Sequence, residues 1–188
     1  FGKSAIIDLP ADARDILIDK TGLWHSRGIP VEPARALSQV DVVLNALHGG
    51  IGEDGTVQRI LDRTSIPYVG SGAIASGLSL NKIQSGIILK SAGIRTPRAV
   101  SFTAESTMPV GEMARFVFSH FGPPYILKPP FGGASHGILL ATTIIDLPHA
   151  IADVLEGYGA ALIEEYLQGE EATVGVIDNF REQELYVL

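Results

Sequence analysis

The stretch ALHGGIGEDGTVQ, Ala46–Gln58, decides how the first half of this chain is read. It ends an apolar run, DVVLNAL from Asp41 to Leu47, with four glycines, a histidine and the adjacent acids Glu53 and Asp54, just ahead of a helix-like segment. In open α/β sheets, ligands sit outside the carboxyl ends of the strands, where such a turn falls. Glycines let backbone approach a ligand closely, and a helix N-terminus offers unpaired N–H groups to an anion. His48 would stand at that crevice with a ring able to donate a hydrogen bond. The alternative is a tight turn that serves geometry alone, with Asp54 as helix cap and His48 satisfied by backbone.

Working outward, Asp41–Leu47 reads as a central parallel strand buried on both faces, Asp54 caps a helix through Arg63, and Ile66–Val69 is a second strand. Strand, loop, helix, strand is the signature of a parallel sheet. Ser4–Leu9 (SAIIDL) reads as a further strand, and Asp15–Trp24 as a short strand with a turn at Lys20–Gly22. Leu80, Ile83, Ile87 and Ile88 carry helical spacing that Gly93 closes. From Thr96 the order changes to strand, helix (Pro109–Phe121), strand (YILKP), glycine-rich loop, strand (ILLAT), helix (Asp146–Tyr158) and strand (ALIEEYL). ATVGVI and ELYVL, split by the turn-prone DNF, read as a hairpin. The expected fold class is α/β: a parallel-sheet, Rossmann-like domain over residues 1–80, then an α+β domain over residues 81–188. Both ends read as cut, so the chain is expected to be a fragment.

Composition narrows the function. Fourteen Lys and Arg against twenty-one Asp and Glu give a net charge of −7, which disfavours a nucleic-acid partner. The apolar runs fall short of the roughly 18 residues a membrane span requires, so no membrane partner and a cytoplasmic location are expected. There is no cysteine, hence no disulfide framework and no thiolate metal site.

Two further segments bear on chemistry. ILKPPFGGASHGILLA, Ile126–Ala141, lacks the G-x-x-x-x-G-K-[ST] of a Walker loop and leads into a strand instead of a helix. A flexible loop between antiparallel strands, with Lys128 at its base, can fold over a polyphosphate and donate backbone N–H groups to it; otherwise it is a mobile surface hairpin. ALIEEYLQGEEA can form an apolar hinge for a purine, with Glu171 accepting from ribose hydroxyls; the alternative is a sheet edge that ends in a solvated acidic turn. GSGAIASG, Gly70–Gly77, lacks dinucleotide-fingerprint spacing and is discounted.

Taken together, HGGIGEDGTVQ, LNKIQ, ILKP, GGASHG, LIEEYL and GEEATV resemble the D-alanine:D-alanine ligases of the ATP-grasp superfamily. HGGIGEDGTVQ fits the family's H-G-x-x-G-E-D-G-x-x-Q at every fixed position, and the resemblance runs from about Asp41 to Ile177. It implies a pre-ATP-grasp N-terminal domain followed by the N-terminal part of an ATP-grasp domain. It also implies an ATP-dependent ligase that joins two D-alanines through an acyl phosphate, for peptidoglycan precursor synthesis. A different acceptor, such as D-lactate, or a nucleotide-binding module without catalysis are the rival readings.

By the same resemblance Lys82 and Lys128 are phosphate-binding lysines, and Ser135 with the backbone of Gly133 to Gly137 forms the phosphate-covering lid. Glu164, Glu165, Tyr166 and Leu167 form the adenine hinge, Glu171 binds ribose, and His48 lies close to the first D-alanine. The cofactors implied are ATP with Mg2+ or Mn2+, the metal ligands being expected beyond Leu188, and a homodimer is the implied assembly. Four positions depart from the pattern: Ala134 replaces the first lid serine, Asn81 an aspartate, Gly86 a basic residue, and Arg59 a small one.

Overall fold

The computed structural model describes residues 12–133 and 135–188. The strand expected at Ser4–Leu9, and Ala134 of the lid, lie outside the described residues. The described part opens with a three-stranded antiparallel sheet of β1 (Ile16–Ile18), β2 (Trp24–Ser26) and β3 (Ile29–Pro30). Asp19 closes its first turn by accepting from the N–H of Thr21 at 2.8 Å and of Leu23 at 3.1 Å. Arg27 and Gly28, both at positive φ, make the two-residue second turn that suits the strand twist.

Helix α1 (Pro33–Leu37) leads to β4 (Val43–Leu44), and α2 (Thr56–Asp62) carries the chain to β5 (Tyr68–Val69). Strands β4 and β5 pair in parallel, so the β-α-β unit forms as expected. The expectation of a central strand buried on both faces does not hold. Only two residues pair; Val43 and Leu47 turn towards a core of Trp24, Leu37, Val57 and Leu61, while Val42 and Leu44 remain more than half exposed. Among the described residues β4 has a single neighbouring strand and a single covered face, so its apolar run is used on one side only.

The helical run after Gly72 is broken in two. Helix α3 (Ala73–Leu80) stops at Asn81, whose extended backbone (ψ 103°) cannot continue a helix. The Asn81 carboxamide oxygen then accepts from Ile83 and Gln84 N–H groups, both at 3.1 Å, and caps α4 (Lys82–Ser91). The substitution of asparagine for aspartate therefore leaves the cap in place. No residue of α4 is buried, and Ile87 and Ile88 of its apolar face are about half exposed.

The second core belongs to a four-stranded antiparallel sheet in the order β6 (Ala99–Thr103), β9 (Ala160–Glu165), β7 (Tyr125–Lys128), β8 (Leu139–Ala141). Alternation along these strands sends Val100, Phe102, Tyr125, Leu127, Ala161 and Ile163 to the face covered by α5 (Val110–His120) and α6 (Leu147–Tyr158). Met113, Val117, Leu147, Ile151 and Val154 complete that core. Residues one step out of phase, Leu162, Glu164, Ile126 and Lys128, share the opposite face. The pairing of Tyr125–Leu127 with Leu139–Ala141 is the antiparallel register expected for a lid, and no helix follows Gly137 directly.

A last hairpin joins β10 (Val176–Phe180) to β11 (Gln183–Val187). Its turn lies at Arg181 and Glu182, both at positive φ, and not at Asp178–Phe180 as the sequence led us to expect. Asp178 and Phe180 pair in register with Leu185 and Gln183, which keeps DNF within the strand.

Candidate functional site

The turn after β4 is built by packing before it serves any ligand. A Cβ on Gly52 would meet the Leu47 Cβ at 2.4 Å, and one on Gly55 (φ +89°) would meet the Ala73 carbonyl oxygen at 2.3 Å. Two of its four glycines are therefore required by close approach. The Gly52 carbonyl accepts from the buried Gln58 Nε2 at 2.7 Å and from Asn45 Nδ2 at 3.0 Å, which clamps the turn from both sides. Asp54 accepts from the Thr56 N–H at 2.8 Å, one residue before the Gly55 cap position. The sequence pattern pointed to Gln58 but not to Asn45.

This clamp leaves His48 exposed at the carboxyl end of β4. Its Nδ1 lies 3.3 Å from Glu53 Oε1. Together with Gly49, Gly50 and Glu53, His48 forms one wall of a cleft of about 300 Å3. The opposite wall is the β7–β8 loop, through Pro129, Phe131, Gly132, Gly133 and His136, with Tyr158 of α6 below. Gly137 seats the loop: at φ +73° it lies so close to the Tyr158 ring that a Cβ there would meet it at 2.6 Å. Ser135 is exposed and takes the left-handed backbone (φ 58°) unusual for a residue with a side chain.

Behind the loop, the open face of the sheet holds the lysines. Lys128 Nζ pairs with Glu164 Oε2 at 2.5 Å, both side chains being largely buried. In register Lys128 faces Leu162, so Glu164 is its diagonal neighbour on the same face. Lys82, first in α4, donates from Nζ to the Gly132 carbonyl at 2.7 Å, and its N–H donates to the Pro130 carbonyl at 2.9 Å. Burial lowers the Lys82 ammonium pKa below the ordinary lysine value, and the Lys128 charge adds to the shift while Glu164 opposes it. Two ammonium groups held together against one carboxylate, beside a loop of glycines, suit a polyanion.

The hinge residues divide. Glu165 points to the helix-covered face. Its Oε1 accepts from the Arg98 N–H at 2.9 Å, and its Oε2 from Arg98 Nε at 2.6 Å. Those Arg98 hydrogen bonds hold its carboxyl below the usual carboxylate range. The Arg98 guanidinium also lies over the Phe121 ring, 5.7 Å from its centre. Tyr166 donates its N–H to the Pro124 carbonyl at 3.0 Å and leaves its ring half exposed, as is the Leu167 side chain. Glu171 is exposed between β9 and β10, and no described hydrogen bond or ion pair joins it to the lysines. Sequence reasoning singled out neither Glu53 nor the lid seat Tyr158. The first stood inside the quoted motif; for the second the sequence carried no signal. Among the described residues no group of three or more His, Asp or Glu gathers to hold a metal ion.

Residues 7–71 match the family model described as D-ala D-ala ligase N-terminus, and residues 88–187 match D-ala D-ala ligase C-terminus. The chain belongs to the D-alanine–D-alanine ligase family. A D-alanine–D-alanine ligase from Carboxydothermus hydrogenoformans is 36% identical over 140 residues, covering 74% of this chain and 45% of that protein. Among solved structures, VanG D-Ala:D-Ser ligase from Enterococcus faecalis superposes with a TM-score of 0.70 at 25% identity, over 93% of this chain and 48% of that one. A D-alanine–D-alanine ligase from Bacillus anthracis complexed with ATP matches with a TM-score of 0.58 at 32% identity, over 70% and 43% of the two chains. The chain spans about half the length of the curated relatives it matches. Its α/β fold is thus that of the family's ATP-grasp ligases. Among the described residues, no helix of this ligase-family chain is long and apolar enough to cross a membrane.

Proposed function

We propose that this protein ligates two D-alanines at the expense of ATP, for peptidoglycan precursor synthesis in the cytoplasm. The observation that carries the reading is the cleft in which the His48–Glu53 turn faces the glycine loop, with Lys82 and Lys128 behind it. ATP binds with its phosphates under the loop. Lys82 and Lys128 meet the phosphate charge, the N–H groups of Gly133 to Gly137 with the Ser135 hydroxyl cover it, and Glu164 to Leu167 with Glu171 hold the nucleoside. In that role Lys128 leaves Glu164 for phosphate, and Lys82 releases the Gly132 carbonyl, so both lysines are held ready by contacts a phosphate can replace. Glu165 acts from behind the hinge, since its carboxylate and N–H are both engaged with Arg98.

The γ-phosphoryl group passes to the carboxylate of the first D-alanine, and the amine of the second attacks the acyl phosphate with loss of phosphate. Such chemistry requires positioning and stabilisation of developing negative charge more than a protein nucleophile, which fits a cleft of glycines and lysines. His48 lies at the substrate end. A division near residue 80, between the cluster around Leu61 and the cluster around Ile151, is supported by family matches that end at residue 71 and resume at residue 88.

The test is phosphate release by the full-length protein with ATP, Mg2+ and D-alanine, with the dipeptide identified by mass. Release that requires D-alanine and yields D-alanyl-D-alanine is the expected result; D-lactate and D-serine in the acceptor position read acceptor choice in the same assay. ATP binding without turnover under any acceptor would refute the ligase reading.

A further inference from the structure

We infer that Gln58 is a positioning residue, which holds the His48 wall of the cleft in place through the Gly52 carbonyl at a cost to the stability of the fold. The kinetic consequence rests on the ligase reading; the structural core does not. Gln58 is 4% exposed, on α2 between the buried Val57 and Leu61. Its Nε2 donates to the Gly52 carbonyl at 2.7 Å, and because a carbonyl can only accept, the orientation of the amide is fixed. The other end of the amide, Oε1, is sealed from solvent and finds no donor among the described residues. A buried acceptor left without a donor costs more than one hydrogen bond returns, and the Gly52 carbonyl already accepts from Asn45 Nδ2 at 3.0 Å. For stability alone, an apolar side chain of the same length would serve at least as well.

What the amide does hold is the turn. Gly49 and Gly50 both lie at positive φ and carry no side chain, so the segment has little of its own to fix its conformation. Its internal bonds are local: the Gly52 N–H donates to the Gly49 carbonyl at 3.2 Å, and the Glu53 and Asp54 N–H groups to the Gly50 carbonyl at 3.0 Å. Gln58 ties this small loop to α2, which is anchored by the fully buried Leu61. His48, Gly49, Gly50 and Glu53 line the cleft, and Gln58 is not one of its lining residues. It therefore acts on the cleft only through the turn.

Gln58→Met in the full-length protein keeps the length of the side chain and removes both polar ends of the amide. The melting temperature should stay level or rise. Amide hydrogen exchange should quicken at Glu53 and Asp54 and stay unchanged at Arg59, whose N–H donates to the Gly55 carbonyl at 3.0 Å at the start of α2. With D-alanine, kcat/KM should fall by roughly ten- to hundredfold while the KM for ATP stays fixed, because Lys82, Lys128 and the glycine loop are untouched. A lowered melting temperature would make Gln58 a structural residue and overturn the inference. So would unchanged exchange at Glu53 and Asp54, an unchanged kcat/KM for D-alanine, or a KM for ATP that rises with the loss. If the wild type itself makes no dipeptide, the ligase reading fails, and exchange with the melting temperature still decides the role of Gln58.

Discussion

At the scale of single residues, Lys82 links charge to binding. Its ammonium is disfavoured by burial and by Lys128 beside it, so its pKa stands below the ordinary lysine value. A triphosphate reverses the local field and raises that pKa. Binding at alkaline pH, above the depressed value, must then take up a proton, and affinity must fall as pH rises through it. Calorimetry in two buffers of different ionisation enthalpy should show proton uptake with ATP, abolished in Lys82→Met. Lys128→Ala removes a charge-assisted contact worth about 1.5 to 3 kcal/mol, or roughly ten- to hundredfold in ATP affinity. The upper end is expected, because Glu164 is left without its partner near the phosphates. An unchanged ATP dissociation constant in folded Lys128→Ala would remove Lys128 from the phosphate site.

At the scale of elements, the glycine turn and the hinge make different demands. Gly55→Ala places a Cβ against the Ala73 carbonyl at a positive φ; backbone strain alone contributes about 1 to 3 kcal/mol of destabilisation, before the clash is relieved. Denaturant unfolding should show it, whereas Gly50→Ala, which meets nothing within 4 Å but also sits at positive φ, should lose only the backbone term. At the hinge, the Arg98–Glu165 contact stabilises the fold above the pKa of an unfolded glutamate, and that contribution is lost as pH falls through the lower folded value. Arg98→Ala should therefore lower the melting temperature at neutral pH and have little further effect in acid. These elements also mark what the sequence could reveal. HGGIGEDG was readable because close packing demands glycine at Gly52 and Gly55, and YILKP with ILLAT because alternation fixes their register. The break at Asn81 was hidden, since an asparagine inside an apolar period looks tolerable until its side chain is seen capping Ile83 and Gln84. Likewise Glu165 could not be separated from Glu164 by type; only strand alternation, which sends one to Lys128 and the other to Arg98, divides their roles.

At the scale of the whole molecule, two hydrophobic clusters share no residue. The one around Leu61 buries four side chains among the described residues, and the one around Ile151 buries thirteen. The cleft lined by His48, Glu53, Gly133 and His136 lies between them, and the bonds from Lys82 to Pro130 and Gly132 stay on the side of the larger cluster. A chain joined this way should not unfold as one unit. Calorimetric scans should resolve two transitions, the lower belonging to the smaller cluster. Leu61→Ala and Ile151→Ala each delete a fully buried side chain, at a loss of about 2 to 5 kcal/mol. Leu61→Ala should lower only the first transition and Ile151→Ala only the second. ATP, held by Lys82, Lys128 and the loop on the side of the larger cluster, should raise the second by mass action. It should raise the first only as far as the cleft couples the two halves. A single transition moved equally by both substitutions would show instead that the cleft contacts bind the two cores into one cooperative unit.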